Sequence, residues 1–258
     1  MGRWPLRANR TGNMGTADLH LHTAYSDGLP SVPELLDYVE HATGLDVIAI
    51  TDHDDLRAGA EAQELAARRG YRFQVVPGVE VTTAEGHLLA LFVEEPIPPW
   101  RPLAQTVATV QALGGLCIIP HPFSWLTQSV GQRGLERLLA APGPRPLGIE
   151  VANPTLAGAV TAARVRDWSL AHFLTETGGS DAHFLGAVGR ACTAFPGQTA
   201  EELRQALLAR QTQAFLRPAS YGRKVTLGER ARQALRAHVL KPGLPVALWR
   251  RYSGSLRP

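Results

Sequence analysis

Six short apolar runs in this chain of 258 residues end in side chains that can bind a metal or move a proton. They finish Asp18-Leu19-His20-Leu21-His22, Asp52-His53, Gly78-Val79-Glu80, Ile119-Pro120-His121-Pro122, Ile149-Glu150 and Ser180-Asp181-Ala182-His183. Imidazole and carboxylate are costly to bury unless paired or bound to a cation. Their recurrence at the same point of successive strand-like segments therefore points to one shared site. Residues i and i+2 of a strand share a face, so His20 and His22 can grip one ion. His53 of Asp52-His53, Glu80, His87, His121, Asp181 and His183 join them, and with Asp27 the candidate set holds six His and three acids. A tetrahedral ion takes only four ligands, so this set implies two or three metals bridged by carboxylates. Imidazole nitrogen and carboxylate oxygen suit Zn²⁺, Mn²⁺ and Fe²⁺ and admit Mg²⁺.

The elements that must position these groups alternate between short apolar runs and longer helical patterns, which predicts βα units and an α/β fold with a parallel sheet or barrel. Strands are expected at 16–21, 46–51, 73–81, 87–93, 116–120, 147–152 and 177–181, with a final strand at 213–217. Helices are expected at 33–43, 56–69, 135–140, 156–174 and 200–210, and another ending near Gly114-Gly115. Ser31 and Pro33 mark one helix start and Gly70 a helix end. We read residues 1–15 as a disordered lead-in, 16–220 as one metal-dependent hydrolase domain and 221–258 as a basic helical tail broken at Pro242-Gly243.

A hydrophobic content of 45% is ordinary for a chain with a full core. The net charge of +3 is unevenly spread: from Tyr221 onward nine Lys or Arg face one acid, Glu229, a local +8, leaving −5 for the preceding 220 residues. Such an end could meet a nucleic acid or serve as a solvated surface helix. The two cysteines, Cys117 and Cys192, have no close partner in sequence, which excludes a disulfide framework and a Cys-type zinc motif and fits a cytoplasmic setting. No stretch approaches the roughly 18 apolar residues that span a bilayer, so no membrane partner is expected.

Taken in order, Asp18-Leu19-His20-Leu21-His22-Thr23, Ser26-Asp27-Gly28, Ile50-Thr51-Asp52-His53-Asp54, Pro77-Gly78-Val79-Glu80-Val81-Thr82, Pro120-His121-Pro122 and Gly179-Ser180-Asp181-Ala182-His183 resemble the PHP family (polymerase and histidinol phosphatase domains). The likeness runs from about Ala17 to Phe195 and is nearest to stand-alone phosphoesterases. It implies a distorted seven-stranded (β/α)7 TIM-like barrel with a trinuclear centre of divalent metals. The implied ligands are His20, His22, Asp27, His53, Glu80, His87, His121, Asp181 and His183, with Glu80 as the bridge. His53, His183 and Asp181 are the expected catalytic residues. The implied activity is hydrolysis of phosphate esters by a water activated between metals, on nucleotides or short single-stranded oligonucleotides. The alternatives are a histidinol-phosphatase-like monoesterase, an amidohydrolase-type C–N hydrolase and a non-catalytic metal-stabilised module. Amidohydrolases commonly bridge their metals with a carboxylated Lys, and this chain has only Lys224 and Lys241, both past the last ligand.

Four further residues are candidates for contacting substrate. Arg190 follows the last ligand motif and, like Arg57, could match a phosphate bidentately. Glu150 ends an apolar run as the ligands do, and with Asn153 it could orient a ligating His or the substrate. Asp54 and Asp55 precede a helix and read as caps. His41, His172 and His238 fall in helical stretches without matching partners. Ser26 and Thr51 read as loop ties, and Cys192 as an unactivated thiol.

Overall fold

The computed structural model describes residues 13–218 and 220–240. Residues 1–12 of the expected lead-in, the tail beyond residue 240 with its Pro242-Gly243 break, and the side chain of His238 lie outside the described residues. Among the described residues nine strands form one sheet: β1 (Met14–Leu21), β2 (Val47–Ile50), β3 (Gln74–Thr82), β4 (His87–Leu91), β5 (Leu116–Ile119), β6 (Gly148–Ala152), β7 (Thr175–Gly178), β8 (Ala191–Pro196) and β9 (Gln213–Leu216). Their spatial order is β7-β6-β5-β4-β3-β2-β1-β8-β9. β1, β2 and β3 run parallel, as do β5, β6 and β7, whereas β4 is antiparallel to both its neighbours.

The sheet curls into a nearly closed barrel. The segment after β7 returns to the end of β1, where the His22 amide donates to the Ala182 carbonyl (3.1 Å) and the Ala182 amide to the His20 carbonyl (3.3 Å). Lower down, the Gly178 amide donates to Thr193 Oγ1 of β8 (2.8 Å), and that hydroxyl donates back to the Gly178 carbonyl (3.0 Å). A Cβ at Gly178 would collide with the Cys192 carbonyl, so only glycine lets β7 approach this closely.

Seven strands are thus the barrel, and β8 and β9 extend it on the β1 edge. β8 was not foreseen, because Ala-Cys-Thr-Ala-Phe-Pro is poor in Val and Ile and ends in Pro. β1 begins at Met14, inside the segment expected to be a lead-in, where Met14 and Gly15 pair with Pro196 and Phe195. β7 is shorter than expected, so Asp181 sits on a loop rather than on a strand.

Among the described residues the chain also forms seven α-helices: α1 (Val32–Ala42), α2 (Arg57–Arg69), α3 (Leu103–Ala112), α4 (Gly131–Ala140), α5 (Leu156–Ala171), α6 (Ala200–Leu208) and α7 (Leu227–Leu240). At the head of α1 the Glu34 carboxylate accepts from the Ser31 amide (2.9 Å) and hydroxyl (2.7 Å). α2 stops at Gly70, whose φ of +65° is left-handed. Period-2 alternation is visible on β2. Ile48 and Ile50 pack outward with residues of α1 and α2, while Val47 and Ala49 face inward with Val76, Leu89 and Ile118. Leu203 and Leu207 of α6 join that inner cluster. No helix among the described residues is long and apolar enough to cross a membrane.

Candidate metal centre

Strand direction explains why donors so far apart in sequence meet. His20 lies near the end of β1 and His22 just beyond it, His53 follows β2, and Glu80 is near the end of β3. His121 follows β5, and Asp181 and His183 follow β7. His87 is the first residue of β4. Because β4 runs the opposite way, its start lies at the same mouth as the other strands' ends. Asp27 arrives on the loop between β1 and α1.

The nine candidate ligands form one cluster centred on Glu80, which is 1% exposed. Glu80 Oε2 lies 3.2 Å from His20 Nε2, 3.2 Å from His22 Nε2 and 3.3 Å from His53 Nδ1. Its Oε1 lies 2.7 Å from His87 Nδ1 and 3.1 Å from His121 Nε2. Asp181 Oδ1 is 3.5 Å from His20 Nε2 and 3.3 Å from His22 Nε2. Asp27 Oδ1 is 3.0 Å from His183 Nε2 and 3.7 Å from His53 Nε2. Donor atoms gather in four overlapping groups: His22, Asp27, His53 and His183; His20, His121 and Asp181; His20, His22 and Glu80; and His53, Glu80 and His87. One carboxylate thus serves two of these groups, as a bridging ligand must.

The donors fit divalent metal ions by their unsatisfied chemistry. Both ring nitrogens of His22 and Nδ1 of His53 and His87 are buried and make no well-angled hydrogen bond among the described residues. Carboxylate oxygens lie 2.7–3.3 Å from His22 Nε2, His53 Nδ1 and His87 Nδ1, but off axis. Buried polar atoms in that state are rare and costly, and shared cations would satisfy them.

The clustered acids and imidazoles set one another's protonation. Burial pushes the Glu80 carboxyl upward, but His87, His53 and His20 hold it well below the usual range. Asp181 is likewise held low by His20 and His22 against its burial. Burial drives His53 well below the ordinary imidazole value, toward the neutral form that binds metal. His22 is pushed up to about 10, because Asp181 and Glu80 outweigh its burial.

Beneath this layer three acids hold the ligand-bearing segments in place. Glu150, 2% exposed, accepts from His20 Nδ1 (3.0 Å), the His121 amide (2.9 Å) and Asn153 Nδ2 (2.9 Å). Asn153 Oδ1 accepts the Thr155 amide (3.0 Å) at the start of α5. Of the two roles expected for Glu150 and Asn153, orienting a ligating His or contacting substrate, these bonds support the first, since the polar atoms are buried and already engaged. Asp18 accepts from the Ser180 amide (2.9 Å) and hydroxyl (2.5 Å) and the Gly189 amide (2.8 Å), tying β1 to the loop that carries Asp181 and His183. Its burial pushes that carboxyl up to about 6 although these bonds pull downward. Asp52 accepts from the amides and hydroxyls of Thr23 and Ser26, fixing the turn before Asp27. Neither Asp18 nor Asp52 was assigned a role from sequence. The available signal was Asp18-x-His20, which puts both on one strand face.

His121 and Asp181 have φ of +30° and +51°, a region that non-glycine residues rarely occupy and that costs about 1–3 kcal/mol each. The surrounding bonds hold them there.

Arg57 pairs with Asp55 (2.5 Å) and lies over the Tyr25 ring, 5.1 Å from its centroid. Arg190 is half-buried beside the loop, where its carbonyl accepts the Arg217 amide (2.9 Å). Asp55 accepts the Arg57 amide (2.9 Å) at the first turn of α2, but Asp54 turns instead to the Thr82 amide (2.7 Å), so only one of the two expected caps acts as one. Ser26 ties its loop as expected, whereas Thr51 bonds the end of β1, its amide (2.8 Å) and hydroxyl (3.4 Å) both donating to the Leu21 carbonyl. His41 and His172 are exposed, and Cys192 is buried. A larger cleft, about 580 Å³, opens by Gln74 and Pro77 at the other end of β3 and carries none of the clustered imidazoles.

Residues 18–154 match the PHP domain family, and residues 163–212 match a PHP-associated family. An uncharacterized protein of Methanocaldococcus jannaschii is 36% identical over 128 residues, covering 45% of this chain and 73% of that protein. The 5'-3' exoribonuclease Rnm of Salmonella typhimurium is 38% identical over 104 residues, 38% of this chain but only 35% of the exoribonuclease. Among solved structures, a two-domain protein from Bacteroides vulgatus, described as containing a predicted PHP-like metal-dependent phosphoesterase, superposes with a TM-score of 0.67 at 23% identity. That match covers 80% of this chain and 65% of the other.

Proposed function

Because the chain belongs to the PHP domain family, we propose that it is a metal-dependent phosphoesterase that hydrolyses phosphate esters of nucleotides or short single-stranded oligonucleotides. The observation that carries this reading is the convergence of six imidazoles and three carboxylates, with Glu80 at their centre, at one barrel mouth. The likeness to an exoribonuclease and the basic C-terminal segment support the nucleotide class. Divalent cations would be held by His20, His22, Asp27, His53, Glu80, His87, His121, Asp181 and His183, and the overlapping groups suit three ions of the Zn²⁺, Mn²⁺ or Fe²⁺ type. When bound, they would supply Lewis acidity toward the phosphoryl oxygens and lower the pKa of a water.

The chain's own residues do the rest. Glu150 can only accept, so it fixes the proton of His20 on Nδ1 and leaves Nε2 free as a ligand. His53 and His183 are the imidazoles that reach the mouth, with side chains 13% and 15% exposed against 6% or less for the other four. Whichever of them is not fully committed to a cation would hand a proton to the departing alkoxide. Asp181, 8% exposed at the rim, aligns His20 and His22. Asp18 and Asp52 keep the two loops from drifting.

The test joins metal analysis of the purified protein to a phosphate-release screen over nucleotides, sugar phosphates and short single strands. Wild type should carry metal and turn over at least one nucleotide ester, while His20→Ala and Asp181→Ala should lose both. Full activity in either variant would misplace the site, and an inert, metal-loaded wild type would leave a metal-stabilised module.

A further inference from the structure

A second cleft, about 420 Å³, opens between the barrel mouth and α7. That volume is within the roughly 300–1,000 Å³ of small-ligand sites. It begins where the metal centre ends. Leu29, on one wall, stands two residues after Asp27 and donates its amide to the His183 carbonyl (3.0 Å); Phe184 and Leu185 follow His183 directly. The opposite wall is α7, which presents Arg232 and Arg236.

The acids around this cleft are already engaged. Glu34 is bonded to Ser31, and Glu229 is bonded to Arg223 and to the Thr226 amide and hydroxyl. Arg236 spans the gap, where one Nη2 donates to the Ala24 carbonyl (2.9 Å) on the Asp27 loop while its Nε is buried without a hydrogen bond among the described residues. Arg232 is exposed. The cleft therefore combines aromatic and aliphatic surface with three guanidinium groups, of which Arg223 is paired with Glu229 and Arg232 and Arg236 have no acid partner among the described residues, next to two donors of the metal centre. Guanidinium matches phosphate geometry, and an aromatic face accepts only a base free of its pairing partner.

We propose that this cleft binds the second nucleotide of a single-stranded oligonucleotide whose terminal phosphate ester lies at the metal centre. The base packs on Phe184 and the phosphate meets Arg232 and Arg236. The inference rests on the phosphoesterase reading and narrows its substrate to chains longer than one nucleotide. It also gives α7 a place in the site rather than leaving it as an appendage.

The test uses the full metal-loaded chain. KM is measured for a short 5'-phosphorylated single strand and for p-nitrophenyl phosphate, and binding of the strand is followed by fluorescence anisotropy across salt. Arg232→Ala should raise the ratio of the two KM values, strand over nitrophenyl ester, about tenfold. The log–log salt slope of strand binding should fall by about one. Phe184→Leu keeps the apolar volume, removes the stacking face, and should raise the same ratio severalfold or more. Arg230→Ala, on the same helix but outside the cleft, should leave the ratio where it was.

An unchanged ratio and slope in Arg232→Ala would overturn the subsite while the phosphoesterase reading stood. An equal response in Arg230→Ala would replace it with diffuse charge attraction. A wild type inert toward both esters would overturn the parent reading and this one with it.

Discussion

Replacing Glu150 with Gln changes one atom in a carboxylate that accepts three hydrogen bonds, from His20 Nδ1 at 3.0 Å and from the His121 amide and Asn153 Nδ2 at 2.9 Å each. The new NH₂ must point one way or the other. Toward the Oε2 side it meets two buried donors and leaves both unpaired, at about 1–3 kcal/mol each. Toward the Oε1 side it meets only His20 Nδ1, which can give up its proton and accept. The second arrangement wins, and the His20 proton then moves to Nε2. That nitrogen faces Glu80 at 3.2 Å and Asp181 at 3.5 Å, so the tautomer blocks it as a ligand.

The fold survives and the metal suffers. Affinity for the most weakened ion should drop about 10–100-fold, or about 1.4–2.8 kcal/mol. Thermal unfolding with and without metal, together with competition against a chromophoric chelator, reads both sides. The metal-loaded protein should lose most of that margin through linkage, while the metal-free protein should barely change. Equal metal affinity in wild type and Glu150→Gln would refute the tautomer argument. A loss of the same size in the metal-free protein would make Glu150 a plain structural brace.

Gly179→Ala should destabilise the chain by about 1–3 kcal/mol, since its Cβ would collide with Glu150 Oε1 and lie 2.5 Å from His20 Cβ; calorimetry should show a Tm lowered by about 2–4 °C per kcal/mol. Cys117 and Cys192 are 1% and 0% exposed, and burial pushes the Cys117 thiol up to about 12 and Cys192 higher still. Neither should react with a disulfide reagent at neutral pH until denaturant is added; a fast reaction of the native protein would contradict the buried placement. Arg223 and the Thr226 amide hold the Glu229 carboxyl at about 2. Because its folded value lies below the unfolded one, the stability it contributes is complete above about 4.5 and is lost as pH falls toward about 2. Urea unfolding of wild type and Glu229→Gln should therefore differ most near neutral pH and converge in acid; a gap that widened in acid would reverse the sign.

Much of the site was legible in advance because ligand chemistry is local. His and carboxylate at the ends of Val- and Ile-rich runs carry a desolvation problem that neighbours in sequence cannot solve, and Asp18-Leu19-His20-Leu21-His22 shows it within five residues. Most elements were legible for the same reason. The buried run of β2, the capping residues of α1 and the glycine stop of α2 are short-range signals. β8 was not, since Ala191–Pro196 becomes a strand only because β1 offers it an edge.

The amino-acid order alone marked which groups call for a partner or a cation when buried, and most of the segments that become strands. Tertiary structure decided how those groups meet. Nothing in the composition of His87–Leu91 says that it runs antiparallel, yet that reversal is what delivers His87 to the mouth. The bonds from Glu150 to His20 and from Asp18 to Ser180 join residues 130 and 162 positions apart. Hydrophobic periodicity registers which face of an element is buried, whereas a hydrogen bond between distant strands exists only once the barrel has closed around it.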